Sequence, residues 1–301
     1  MSSAVTFSSY GPPEVLTVSQ VETPRPGPGQ VRIRVRAVSV NPIDVKIRSG
    51  AMEGIMPVQF PVLPGWDVAG VVDAAGEGAA AAVGDEVFGV ASEGGYSEYA
   101  LLDRPVPKPA GLSWEAAAAI VTVGEAAWRA LKHLAMKAGQ TLVILGAGGS
   151  VGTIAVQLAV ASGITVIGVA PGDIERLAGL GATTVQAGEG WAGRVKAAAQ
   201  DGVDAVFDTT GAGLLADAVT LAGDPARVIT IADHHAAEHD VRFTGADPAD
   251  RAPEALPELA ALIAAGKLTI PIWRTYPLGD AARAHADIEA RRNRGKIILL
   301  P

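Results

Sequence analysis

Residues 141–170 read TLVILGAGGSVGTIAVQLAVASGITVIGVA, a run without a single charge. Such a run is a membrane span, a buried core segment or a cofactor site, and the choice decides the fold. It is longer than the ~20 residues a bilayer span needs. Six glycines lie inside it, at 146, 148, 149, 152, 163 and 168, and four of them crowd between Gly146 and Gly152. A helix driven through that cluster would lose roughly 1 kcal/mol per glycine relative to alanine. The cluster argues against a span and for a break in the middle. TLVILG then reads as a strand, GAGGSVG as a turn, SVGTIAVQLAVASG as a helix and TVIGVA as a second strand.

Downstream the same rhythm continues. DIERLAGLG reads as a helix, TTVQAG as a short strand, GWAGRVKAAAQ as a helix, DAVFDTTG as a strand, LLADAVTLAG as a helix and ARVITIAD as a strand. Strands alternating with helices are the signature of a parallel sheet, and fully apolar strands fit a sheet covered on both faces. Upstream the pattern is β-rich. QVRIRVRAVSV alternates charged and aliphatic residues with period two from Val31 to Val40, and DVAGVVDAAG and GDEVFGV read as further strands between turn residues. Between the two regions, SWEAAAAIVTVGEAAWRALKHLAMKAG opens on Ser113 as an N-cap and reads as helical, with Gly124 as a break. A polar, turn-rich stretch follows Asp233, then a helix in ALPELAALIAAG and a closing strand in KIILL.

The turn carries the chemistry. Its spacing is Ala147-x-Gly149-x-x-Gly152, with alanine at the first position of the usual G-x-G-x-x-G. Glycine lets the backbone turn tightly and approach a ligand closely, and the following helix N-terminus offers free N–H groups and partial positive charge to a pyrophosphate. A tight turn without a ligand is the alternative, but the strand and helix on either side favour the dinucleotide. Gly148, Gly149, Ser150, Val151 and Gly152 are the expected pyrophosphate contacts. An NAD-selective site carries an acidic residue about 20 positions on, for the ribose hydroxyls. Here the second strand ends in Ala170, Pro171 and Gly172, and the first carboxylate is Asp173, read as the cap of the next helix. That favours a 2′-phosphate and hence NADPH. Arg176 is a candidate partner for the phosphate, or equally a solvated helix charge.

Composition narrows the rest. The 301 residues carry 24 basic and 32 acidic side chains, a net charge of -8, with no long basic cluster, so no nucleic-acid partner is expected. Cysteine is absent, which removes disulfides and thiolate metal sites. The N-terminus lacks a signal-peptide pattern, and the chain reads as cytoplasmic.

At this point the chain resembles a known family, the zinc-independent medium-chain dehydrogenase/reductases of the quinone oxidoreductase and enoyl reductase type. The resemblance rests on SVNPIDVKIRSG (39–50), PVLPGWDVAGVV (61–72), GDEVFGV (84–90), GGYSEY (94–99), LGAGGSVG (145–152), LGA (180–182), DTTG (208–211) and RGKIIL (294–299). It implies an α/β chain with a GroES-like β-rich catalytic domain (1–114 and 248–301) and a Rossmann doubly wound parallel sheet (115–247), the active site lying in the cleft between them. It also implies that Asn41 sits beside the nicotinamide and that Asp44 helps hold the local loop. Thr210, Gly211, Ile231 and Ala232 would line the nicotinamide side, and a homodimer paired through the Rossmann sheet edge is expected. Zinc-dependent relatives place Cys, His-Glu and Cys around the metal; the matching positions here are Asn41, Trp66-Asp67 and no residue, so no metal is expected.

Two departures from the family pattern bear on mechanism. The tyrosine two residues after the RSG glycine is Met52, and the GLTA turn is GEAA, Gly124 to Ala127, with Thr122 as a substitute nicotinamide contact. Lys46 and Trp66 are candidates for lining the substrate pocket, and proton delivery is left to water. The leading expectation is an NADPH-dependent reductase of a small-molecule quinone or α,β-unsaturated carbonyl. The alternatives are a non-catalytic NADPH-binding sensor or structural protein, and a specialised biosynthetic enoyl reductase. The run HHAAEH (234–239) places His235 and His239 at i,i+4 spacing, but in a polar connection it reads as a solvated loop.

Overall fold

The computed structural model describes residues 1–245 and 247–301, and they divide into two compact units. The first holds Met1–Thr122 and Leu256–Pro301, the second Val123–Ala255. The sequence reading set the first change of domain at 114/115, where a helix begins. The division instead falls between Thr122 and Val123, inside that helix, and no composition shift marks it.

In the first unit, β1 (Ser2–Thr6) and β2 (Thr17–Val21) form an antiparallel pair. The main sheet is built on β3 (Val31–Val40), which leads into α1 (Pro42–Ser49). Then come β4 (Asp67–Ala75), β5 (Glu86–Val90), β6 (Tyr99–Leu102) and β7 (Val106–Pro107). The helix α2 (Trp114–Leu134) follows and carries the chain into the second unit. It is continuous through Gly124, where the sequence suggested a break. A helix-interior glycine costs only about 1 kcal/mol, and its neighbours Val123, Ala126 and Ala127 are buried.

The second unit is a parallel sheet of β8 (Thr141–Leu145), β9 (Thr165–Ala170), β10 (Thr183–Gln186), β11 (Ala205–Asp208), β12 (Val228–Thr230) and β13 (Arg242–Phe243), ordered β10-β9-β8-β11-β12-β13. Helices α3 (Ser150–Ala161), α4 (Ile174–Gly179), α5 (Trp191–Ala198) and α6 (Leu215–Ala222) supply the crossovers. Five of the strands are those read from the sequence. The sixth, β13, is two residues long and lies in the polar stretch read as a loop. The strand order reverses between β8 and β11, the switch point at which ligands bind in such sheets.

The chain returns to the first unit along α7 (Ala255–Ala264), β14 (Ile272–Pro277), α8 (Ala281–Glu289) and β15 (Lys296–Leu300). β15 joins the same edge of β3 that β6 occupies further back. Val31–Arg34 pair with β6, and Val38–Val40 pair with β15. The alternation of β3 lapses where that second partner arrives, and Ala37 to Val40 are all buried. Register then fixes the first unit's polar centre. Ser39 faces Asp67 on β4 and Val40 faces Ile297 on β15, so Asn41, Asp67 and Lys296 meet at one end of the sheet.

Candidate functional site

The glycine turn in the second unit begins where β8 ends. Gly146 has φ +80, and a Cβ there would lie 2.4 Å from Thr209 Oγ1. A Cβ on Gly152 would lie 2.3 Å from the carbonyl oxygen of Gly146 and 2.7 Å from Ala147 Cα. Only glycine lets the first turn of α3 fold back so closely on its own strand. Gly148 is different: a methyl group there would meet nothing nearer than 3.5 Å. The two glycines therefore do different work, Gly152 closing the turn and Gly148 leaving space over it. Gly149 is the N-cap of α3, and Ser150, Val151 and Gly152 form its first turn. Their N–H groups have no partner within the helix, so this cradle fits a pyrophosphate.

The end of β9 is more complicated than its sequence suggests. Asp173 stands at the N-cap position of α4, but its side chain does not cap the helix. Its carboxylate accepts from Arg176 at 3.2 Å. Arg176 also donates to the Gly148 carbonyl at 3.0 Å and to Thr153 Oγ1 at 3.1 Å. Arg176 is thus strapped across the glycine turn and is not a solvated helix charge. Ala170 is buried; Pro171 and Gly172 are exposed beyond it. A carboxylate and a guanidinium therefore stand side by side beyond the end of β9.

Beyond the switch point, Asp208 organises two strand ends. One carboxylate oxygen accepts from the Thr210 N–H (2.9 Å) and hydroxyl (2.7 Å), the other from the Gly211 N–H (3.2 Å) and the Thr230 hydroxyl (2.8 Å). Thr230 Oγ1 in turn accepts from the Ala232 and Asp233 N–H groups, both at 3.1 Å. The buried carboxylate thus holds Thr210 and Gly211 directly and Ala232 through Thr230, while the Ile231 N–H donates to the Asp208 main-chain carbonyl at 3.2 Å. Asp208 lies within DTTG, and nothing in that motif alone marks its role.

In the first unit, Asn41 is the N-cap of α1, and its N–H donates to Asp44 Oδ2 at 2.8 Å. Its amide side chain points elsewhere, giving its Nδ2 to Asp67 Oδ2 (2.8 Å) and taking Lys296 Nζ on its Oδ1 (2.6 Å). Asp67 also accepts from the Thr122 hydroxyl (2.6 Å) and N–H (3.2 Å). Burial pushes Asp67 up from the usual carboxylate range and Lys296 down from the usual ammonium range, and the charge of each pulls the other back.

Asp44 leads into a second branch. Its Oδ2 accepts from Tyr96 OH (3.2 Å), and Tyr96 OH lies 3.0 Å from His285 Nε2. Gly65, at φ +81, makes room for this: a Cβ there would stand 2.2 Å from the Tyr96 ring. Burial pushes the Asp44 carboxyl up to about 7, against the Asn41 N–H that pulls it down. Burial, helped by the Arg48 charge, holds His285 down at about 3, so its ring is neutral. Since Asp44 Oδ2 accepts, Tyr96 is the donor, and neutral His285 donates to Tyr96 through Nε2–H. Asp44 Oδ1 and His285 Nδ1 are left without a partner.

Asp44 also lines a pocket of about 100 Å³. Its other walls are apolar or aromatic, among them Leu63, Met56, Pro57, Val58 and Trp66. Of the remaining sequence candidates, Trp66 is on this wall, whereas Lys46 is exposed and off it. Met52, at the position of the family's tyrosine, is buried in the hydrophobic core. The departure at GEAA has a structural reason inside the second unit: Glu125 is buried against Arg129 (2.8 Å) and accepts from the Ala252 N–H (2.8 Å).

Among the described residues no group of three His, Cys, Asp or Glu could hold a metal ion, and no helix is long and apolar enough to cross a membrane. In HHAAEH, Ala236–His239 form a single 3-10 turn, and exposed His235 pairs with Glu238 at 2.8 Å.

Comparison with known proteins fits this geometry. Residues 27–110 match the family model described as alcohol dehydrogenase GroES-like domain, and residues 180–299 the one described as zinc-binding dehydrogenase. A quinone oxidoreductase of Sus scrofa is 35% identical over 322 residues, covering 99% of this chain and 97% of the relative. A mycobacterial protein solved in complex with NADPH superposes with a TM-score of 0.87 at 28% identity, covering 100% of both chains. A solved NAD-dependent alcohol dehydrogenase gives the same TM-score at 29% identity, covering 99% of each.

Proposed function

Because the chain belongs to the medium-chain dehydrogenase/reductase family, we propose that it is an NADPH-dependent reductase of quinones and α,β-unsaturated carbonyls that works without zinc. When bound, the reduced nicotinamide supplies a hydride. On this reading Gly148, Gly149, Ser150, Val151 and Gly152 hold the pyrophosphate. Ala170, Pro171, Gly172 and Arg176 face the adenosine ribose, and Thr210, Gly211, Ile231 and Ala232 form the nicotinamide side. Asn41, Thr122, Asp44, Lys46 and Trp66 complete the set of proposed site residues, with Lys46 at the exposed margin.

The observation that carries the proposal is the fate of the positions where zinc relatives place ligands. Asn41 is hydrogen-bonded to the Lys296 ammonium, and Asp67 to Asn41 and Thr122. A cationic side chain already occupies the neighbourhood a metal would need, and the chain has no thiolate to offer. Arg176 supports the choice of NADPH, since a guanidinium beside the glycine turn suits a 2′-phosphate. Asp173 pulls the other way, as a carboxylate at the same spot would suit ribose hydroxyls. The quinone oxidoreductase relatives and the NADPH-bound neighbour support the reading.

Steady-state assays following NADPH and NADH oxidation at 340 nm, with a quinone and with an enone, test it. Failure to turn over every conjugated acceptor would remove it. We further propose a cytoplasmic homodimer. The open edge at two-residue β13 supports pairing through that sheet, and sedimentation equilibrium decides it.

A further inference from the structure

The sequence left the reaction's proton to water, since the family's tyrosine is Met52. The first unit holds a better source. Asp44 is the one ionisable side chain on the wall of the 100 Å³ pocket. One of its oxygens is fully engaged with the Asn41 N–H and the Tyr96 hydroxyl, while the other, Oδ1, is buried and has no partner. A buried polar atom without a partner is costly, and such atoms persist where a ligand completes them. The pocket is well below the roughly 300 Å³ at which sites for drug-sized ligands begin. It therefore suits a small ring or the conjugated head of a larger acceptor.

We propose that Asp44 is the general acid of the reduction, giving the proton on its Oδ1 to the carbonyl oxygen of a small enone or quinone seated against Trp66. The assignment rests on the reductase reading above. Before reaction, the Oδ1–H donates a hydrogen bond to the substrate carbonyl and polarises it. The acceptor then gains a hydride, a C–H bond forms, and the π electrons move onto the carbonyl oxygen. The O–H bond forms there as the Asp44 O–H bond breaks, its electron pair staying on the carboxylate. The two electrons the acceptor gains would come from the bound nicotinamide as its hydride, and a solvent proton restores the acid after product leaves. An enone yields an enol, and a quinone the keto tautomer of its hydroquinone; each tautomerises in water, the quinone product by losing the ring C–H proton as its second carbonyl oxygen gains one.

The surroundings keep the acid in the right form. Asp44 is faced by Asp67 from β4, Lys296 from β15 and Tyr96 from the β5–β6 connection; behind Tyr96 stand His285 from α8 and Arg48 from α1. Burial raises the carboxyl to about 7, so a large fraction is protonated at neutral pH, as a general acid requires.

Asp44→Asn retains an acceptor for Asn41 and Tyr96 but has no acidic proton. We expect it to bind NADPH as the wild type does, with kcat lowered by about 10² to 10⁴-fold and KM little changed. Infrared difference titration of the wild type should show a protonated-carboxyl band disappearing near pH 7, absent in Asp44→Asn. Tyr96→Phe removes a donor to the carboxylate, so the band and the falling limb of the pH–rate profile should both move to higher pH. If wild-type protein fails to bind NADPH, the reductase reading falls and takes this assignment with it. If folded, NADPH-binding Asp44→Asn keeps kcat within threefold and the same pH profile, Asp44 alone is overturned.

Discussion

Lys296 offers a test of how the polar end of the first unit is held. Its ammonium is buried, bonded to Asn41 Oδ1 and, at 3.3 Å, to the Val40 carbonyl, with Asp67 beyond the Asn41 amide. Lys296→Met keeps the stem and deletes the charge. At a separation on the order of 6 Å and an effective dielectric of about 20, one ammonium–carboxylate attraction is worth about 3 kcal/mol. The lost hydrogen bonds add about 1–2 kcal/mol, so the variant should lose about 4–5 kcal/mol near pH 8. Without the ammonium, the Asp67 carboxyl rises further above its unfolded value. Stability from a raised carboxyl is present at low pH and lost as pH rises through the folded pKa. As pH falls, Asp67 protonates more readily in the variant than in the wild type, so the loss should shrink between pH 8 and pH 5. Hydrogen exchange of the β3 and β15 amides, corrected for intrinsic rates, reads the local free energy at both pH values without assuming that two units unfold together. An equal loss at pH 5 and pH 8 would refute the charge-compensation argument.

Two glycines in the second unit should separate folding from binding. Gly152→Ala drives a methyl group into backbone and should cost about 1–3 kcal/mol, seen as a lowered Tm. Gly148→Ala makes only ordinary van der Waals contacts, none nearer than 3.5 Å, and should leave Tm unchanged or slightly higher, while weakening NADPH by about tenfold, some 1.4 kcal/mol, in calorimetry. Arg176→Ala should weaken NADPH by about 10- to 100-fold, the worth of a charged hydrogen bond, with NADH little affected. Asp173→Asn frees Arg176 from its ion pair and should tighten NADPH; tighter NADH instead would reverse the assignment of these two residues.

The parts legible in the sequence were those with local causes. At Gly146 and Gly152 the chain needs glycine for positive φ or sub-3 Å approach, so the turn announced itself, and the strands beside it are apolar after their first threonine because helices cover them. The break read at Gly124 shows the limit of that logic, because packing along α2 outweighs a single glycine's propensity. The polar centre was hidden for another reason. Asn41 meets Lys296 across 255 positions, and Tyr96 meets His285 across 189; pairs that distant leave no periodicity. Asp208, Lys296 and Tyr96 did lie inside the quoted DTTG, RGKIIL and GGYSEY motifs, and what was missing was the register that turns those words into neighbours. Arg176 was ambiguous because its partners, Gly148 and Thr153, sit on a different element.

The bond set of Asp208 reaches further than its own strand. Because the same carboxylate grips Thr210 and Gly211 after β11 and Thr230 at the close of β12, the two loops cannot wander independently. They form a single stiff lip, and lengthening either would pry at the other. Divergence toward new acceptors should therefore be sparing here and freer elsewhere: a change in one loop would survive only with a matching adjustment in its mate.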